Sequence, residues 1–218
     1  MPLYKEWEPN EHALAAVWHI GEEEAFFGDK TGLTSPIRHP KKRLEHLCGR
    51  YLLQHLREDF PLHHIAPDEH DKPRLPENRY YFSISHSYPY VAAVISDKEE
   101  CGIDIQVWKD NIAAIAYMFL SEDELALCSE GGKKAADTRL LTLAWCAKEA
   151  VYKWNGRRGA EFIRDLPIQR IVGGESAFTL LAPSVEVQVE MQCFGTPVSP
   201  ASELHKDFAL SCLVRQRH

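Results

Sequence analysis

The chain has 218 residues, 44% of them hydrophobic and 26% charged, which suits one large domain or two small ones built around a real core. A net charge of −7 argues against a general nucleic-acid binder, so an anionic partner must be met by local basic patches such as Arg38 to Arg50 or Lys148 to Arg164. No apolar run approaches the ~20 residues needed to span a bilayer. The start, Met-Pro-Leu-Tyr-Lys-Glu-Trp-Glu, carries no apolar leader segment. Six cysteines (Cys48, Cys101, Cys128, Cys146, Cys193, Cys212) form no C-x-x-C pair, so a cytoplasmic chain with reduced thiols is expected.

Taken in order, residues 12–20 read as an opening strand, with a helix as the alternative, and 22–36 as a short helix or loop. From Pro40 to Glu58 the apolar residues Leu44, Leu47, Cys48, Tyr51, Leu52 and Leu56 recur at helical spacing, and Pro40 suits a first turn. Four prolines within 61–79 mark a loop region. Tyr80–Ser87, Val91–Ser96 and Cys101–Val107 read as three strands with short links, an expected antiparallel meander.

Residues 111–119 suggest a short helix, and Ser121 with Glu124 three residues on has the pattern of a capping box opening another. Gly131 to Lys134 reads as a flexible break before a long helix containing Trp145. Four strands are expected at the end: Ile168–Val172, Ala177–Leu181, Val185–Met191 and Phe208–Val214.

The segment Trp145 to Trp154 contains no helix breaker. At 3.6 residues per turn, Trp145, Lys148, Glu149, Tyr152 and Lys153 share one arc, while Ala144, Ala147, Val151 and Trp154 form an apolar stripe. Taken alone this is a surface helix with a Glu149–Lys153 pair. Upstream, Asp104 and Gln106 share one side of a strand whose Ile103, Ile105 and Val107 face the core. A strand carboxylate and a helix carboxylate together could hold a hard cation such as Mg²⁺, which takes few carboxylates plus phosphate oxygens.

Three pieces in this order resemble the phosphopantetheinyl transferases of the larger, monomeric type: Ser83-Ile84-Ser85-His86-Ser87, Gly102-Ile103-Asp104-Ile105, and Trp145-x-x-Lys148-Glu149-Ala150-x-x-Lys153. Asp71-Lys72-Pro73 and Cys48-Gly49-Arg50 fall where that family has a Lys-Pro pair and a helix arginine. The resemblance runs from about Arg38 to Lys153. It implies an α+β fold of two similar α+β halves related by a pseudo-two-fold, here residues 1–100 and 101–218, with the active site in the cleft between them. It also implies a monomer that moves the phosphopantetheine arm of coenzyme A onto a serine of an acyl or peptidyl carrier protein, with Mg²⁺, releasing 3′,5′-ADP. Neither nucleic acid nor a membrane is an expected partner.

Carried over by position, Asp104 and Glu149 are the metal carboxylates, and Lys148 is the pyrophosphate-contacting lysine, with Lys153 one turn further along. Gln106 departs from the family pattern, which often has a second acid there; it is a weak ligand or is replaced by water. Glu149, or Glu124 after Phe119-Leu120-Ser121, would serve as base; for Glu124 a plain helix-surface acid is the alternative. Arg50, Lys72, Ser85 and His86 would hold the 3′-phosphate of coenzyme A, with Arg43 either helping or solvated. Ile112, Ile115, Met118 and Phe119 could offer an apolar patch to the carrier, although such a stripe is more often core. Two other readings of the same residues are a metal-dependent phosphohydrolase of small nucleotides and a non-catalytic coenzyme A- or carrier-binding module.

Overall fold

The protein is described by a computed structural model covering residues 2–109, 111–129, 137–172, 177–182, 185–194 and 208–215. It is an α+β chain whose contacts divide into two compact units, Met1–Ile103 with Val214–His218, and Asp104–Leu213. The expected break at Gly131 to Lys134 lies outside the described residues.

In the first unit, strands β1 (Leu3–Asn10) and β2 (Ala13–His19) precede helices α1 (Glu24–Thr31) and α2 (Pro40–Leu56). Two-residue strands β3 (Ala66–Pro67) and β4 (Pro73–Arg74) lie in the proline-rich loop, followed by β5 (Tyr81–Ser87) and β6 (Tyr90–Ser96). The sheet order is β1-β2-β6-β5, antiparallel throughout. Helix α2 opens where the His39 side chain accepts from the Lys42 amide and Pro40 occupies the first turn. Its Leu47, Cys48, Leu52 and Leu53 pack into the core with Trp18, Val91, Ala93 and Ile95 of the sheet. Gly49 allows the close approach: a Cβ there would stand 2.9 Å from Ile84 Cγ2.

Strand β7 (Cys101–Val107) begins the second sheet. The remaining elements are α3 (Ile112–Ile115) with a 3₁₀ turn at Ala116–Met118, α4 (Glu122–Leu127), α5 (Thr138–Asn155), α6 (Phe162–Asp165), β8 (Ile168–Val172), β9 (Ala177–Ala182), β10 (Val185–Phe194) and β11 (Phe208–Val214). The sheet runs β7-β11-β10-β9-β8. Helix α5 packs against β9 and β10, and its buried Leu143, Ala147 and Val151 share a core with Val187, Val189 and Ala209.

The expected three-strand meander is therefore corrected. β5 and β6 form the hairpin, but β7 pairs with β11 instead. The reason lies in strand edges: β6 is hydrogen-bonded to β5 on one side and to β2 on the other, so no edge is left for a third neighbour. Strand β1, with side-chain exposure alternating along Leu3–Asn10, is a further element ahead of the expected opening strand.

Candidate active site

Helix α5 carries Lys148, Glu149 and Lys153, three of the residues expected at the site. Asp137 caps it by accepting from the Arg139 amide at 2.8 Å, and Gly156 ends it in the left-handed region at φ 67°. The apolar stripe is where the spacing puts it: Ala144, Ala147, Val151 and Trp154 are all buried. On the other arc, Trp145, Tyr152 and Lys153 are half-buried, and Trp145 meets Phe119 and Phe162 edge-on or tilted.

Lys148 departs from that arc. It is fully buried, its ammonium 2.5 Å from Glu124 Oε1 and donating to the Phe162 carbonyl at 2.9 Å. Burial pulls its pKa down and the Glu124 carboxylate pushes back, leaving it below the ordinary lysine value. Glu124 is likewise no helix-surface acid. Its Oε2 accepts from the Ser121 amide at 2.8 Å, closing the expected capping box, and its Oε1 accepts from the Ile168 amide at 2.7 Å. Both oxygens are thus engaged, and the pair ties α4, α5, α6 and the start of β8 together.

Asp104 on β7 is buried, and the Lys153 ammonium sits 2.5 Å from its Oδ1. Glu149, half-buried one turn before Lys153, has its pKa raised, chiefly by burial; Lys153 opposes the rise and the charge of Asp104 adds to it. The two carboxylates and the ammonium are therefore one coupled set. Gln106, two residues along the strand, is half-buried with its Nε2 donating to the Val107 carbonyl at 2.9 Å. Among the described residues no three His, Cys, Asp or Glu side chains converge as a metal cage. The set holds two carboxylates, one of them carrying the Lys153 ammonium.

In the first unit, Arg50 Nη1 is sealed from solvent with no hydrogen-bond partner, and so is His46 Nδ1 one turn earlier on α2. Arg50 has its pKa lowered by burial. The His46 imidazole is lowered by burial first, then by Arg50 and His86. His86, with its side chain 39% exposed, has Nδ1 3.3 Å from Glu45 Oε2, a carboxylate also 3.0 Å from the Lys42 ammonium. Ser85 is buried on β5. Lys72 instead joins the loop to the β6–β7 turn: its ammonium is 3.2 Å from Glu100, which also receives Arg74 at 2.6 Å, while Arg74 reaches Asp68 at 3.0 Å. Arg43 is held by Glu24 at 2.7 Å. Neither His46 nor Glu45 was singled out in the sequence, although His46 and Arg50 are four residues apart on a helix.

The description of the 4′-phosphopantetheinyl transferase superfamily matches residues 100–212, more than half of the chain. The chain belongs to the 4′-phosphopantetheinyl transferase superfamily. Among curated proteins, the 4′-phosphopantetheinyl transferase AcpT of Escherichia coli O157:H7 is 29% identical over 130 residues, 57% of this chain and 64% of AcpT. The AcpT of Escherichia coli strain K12 matches to the same extent. The chain thus matches less than two thirds of the length of these relatives.

The stretch that defines this superfamily member spans β7 through most of β11 and so includes Asp104, Gln106, Glu124, Lys148, Glu149 and Lys153, whereas Arg50, Lys72, Ser85 and His86 lie before it. Of the apolar residues considered for a partner surface, Ile112 and Phe119 are core, at 6% and 1% exposure. Ile115 and Met118 are exposed, together with the neighbouring Tyr117. Among the described residues, no helix is long and apolar enough to cross a membrane.

Proposed function

We propose that this superfamily member transfers the 4′-phosphopantetheine arm of coenzyme A to a serine of an acyl or peptidyl carrier protein and releases 3′,5′-ADP. The observation that carries this reading is the coupled set of Asp104, Glu149 and Lys153, two carboxylates and an ammonium brought together from a strand and a helix. In the step, the serine oxygen bonds to the phosphorus bearing the pantetheine arm, the diphosphate P–O bond to 3′,5′-ADP breaks, and the serine proton is taken up by a base. Glu149 accepts that proton through a water held beside it. Lys153 places a positive charge where the leaving diphosphate oxygens gather negative charge.

Asp104 and Glu149 would hold a divalent cation such as Mg²⁺, with Gln106 or water completing the protein side; when bound, it neutralises the diphosphate. Lys148 and Glu124 act as positioning residues, because their charged ends are spent on each other and on the backbone. Arg50, with His86 and Ser85, and with Lys72 released from Glu100, would hold the 3′-phosphate, and the sealed Arg50 Nη1 supports this because a buried donor left unpaired is costly. The exposed Ile115, Tyr117 and Met118 supply the apolar part of the carrier contact.

The test is incubation with coenzyme A, Mg²⁺ and a panel of apo acyl and peptidyl carriers, read by intact mass. Gain of the phosphopantetheine mass on the carrier serine is expected. Consumption of coenzyme A without any carrier would instead indicate a phosphohydrolase, and binding without turnover a non-catalytic module.

A further inference from the structure

Lys153 pairs with the strand carboxylate assigned above to a cation. Its ammonium lies on Asp104 Oδ1 at 2.5 Å, and the carboxylate side chain is 7% exposed against 26% for the lysine. The lysine therefore reaches a buried acid from a more open position. The charges near Glu149 then sum in an informative way. Asp104 and Glu149 bring two carboxylates against the one ammonium of Lys153, and Gln106 adds no third acid.

A divalent ion added with the ammonium still in place would face a like charge beside the very oxygen it needs, a strong repulsion in a partly desolvated site. A diphosphate changes this balance. It offers oxygens to the ion and to the ammonium alike, so Lys153 can move from Asp104 to the phosphate as the ion takes the carboxylates.

We infer that Lys153 is an internal counter-ion that keeps divalent metal off Asp104 until a diphosphate draws the lysine away, so that metal and coenzyme A bind cooperatively. This rests on the metal reading given above. The consequence is an order of assembly: the free protein holds metal weakly, and the complete site forms with the donor substrate.

The test uses the full chain and Mn²⁺ as the probe, with bound and free ion counted by electron paramagnetic resonance, with and without coenzyme A. Lys153→Gln is expected to bind Mn²⁺ about tenfold tighter than wild type without coenzyme A, while Lys153→Arg, which keeps the charge, stays close to wild type. Coenzyme A is expected to tighten Mn²⁺ at least tenfold in the wild type and by a clearly smaller factor in Lys153→Gln. Unchanged or weaker Mn²⁺ binding in a folded Lys153→Gln overturns the inference. So does the absence of any coenzyme A effect in the wild type, a result that needs no variant to fold. Asp104→Asn separates the two readings: retained Mn²⁺ binding would sink the metal site itself, whereas lost binding with an unaltered Lys153→Gln would sink the counter-ion role alone.

Discussion

The Lys148 ammonium lies 2.5 Å from Glu124 Oε1 with both side chains out of solvent, at 0% and 3% exposure. Removing one partner of such a pair strands the other charge in the interior, which costs about 3–5 kcal/mol. Lys148→Met should therefore lower the unfolding free energy by about that amount, read from urea denaturation. A loss below about 1 kcal/mol would show that the pair does not brace α4, α5 and β8.

Gly49 sets how closely α2 lies on its sheet. Alanine would gain about 1 kcal/mol of helix propensity, yet its Cβ would stand 2.9 Å from Ile84 Cγ2. Overpacking at that distance costs about 1–3 kcal/mol, so Gly49→Ala should be net destabilising. In an Ile84→Ala background the same Gly49→Ala change should cost less than it does in the wild type, and a stabilised single variant would contradict the packing described.

His46 supplies a pH dependence. Burial, then Arg50 and His86, hold its imidazole below the ordinary 6.5, so the folded protein resists protonating it while the unfolded chain does not. Its neutral form thus contributes stability that is fully present above pH 6.5 and is lost as the pH falls below that value through the lowered folded pKa. His46→Gln should flatten the decline in stability between pH 7.5 and 5.5 relative to wild type. Equal slopes would remove His46 as its source.

Gln106 offers a gain-of-charge experiment. Gln106→Glu adds a third acid beside Asp104 on β7, which should preserve transfer and lower the Mg²⁺ concentration needed for half-maximal rate. A large loss of activity would contradict the arrangement proposed around Asp104 and Glu149.

Much of the local structure could be read from the chain. The Pro40–Leu56 helix follows from leucine spacing and Pro40, the Ser121–Glu124 box from two residues, and the strands β8 to β11 from apolar runs between turn residues. What escaped was set by partners distant in sequence. A helical wheel puts Lys148 beside Glu149, yet α6 and Glu124, 24 positions upstream, turn it into an interior residue. The edge available to β7 depends on β2 having paired with β6, which no local pattern announces. Lys72 reads as a loop cation until Glu100 closes on it from a turn 28 residues away.

The proposed phosphopantetheine transfer turns on Glu149, set beside Asp104 and Lys153. The most direct measurement is the rate at which an apo carrier gains the phosphopantetheine mass with wild-type protein and with Glu149→Ala, each shown folded by circular dichroism. Transfer by the wild type and none detectable by Glu149→Ala is the predicted result; a folded Glu149→Ala working at the wild-type rate would contradict the account.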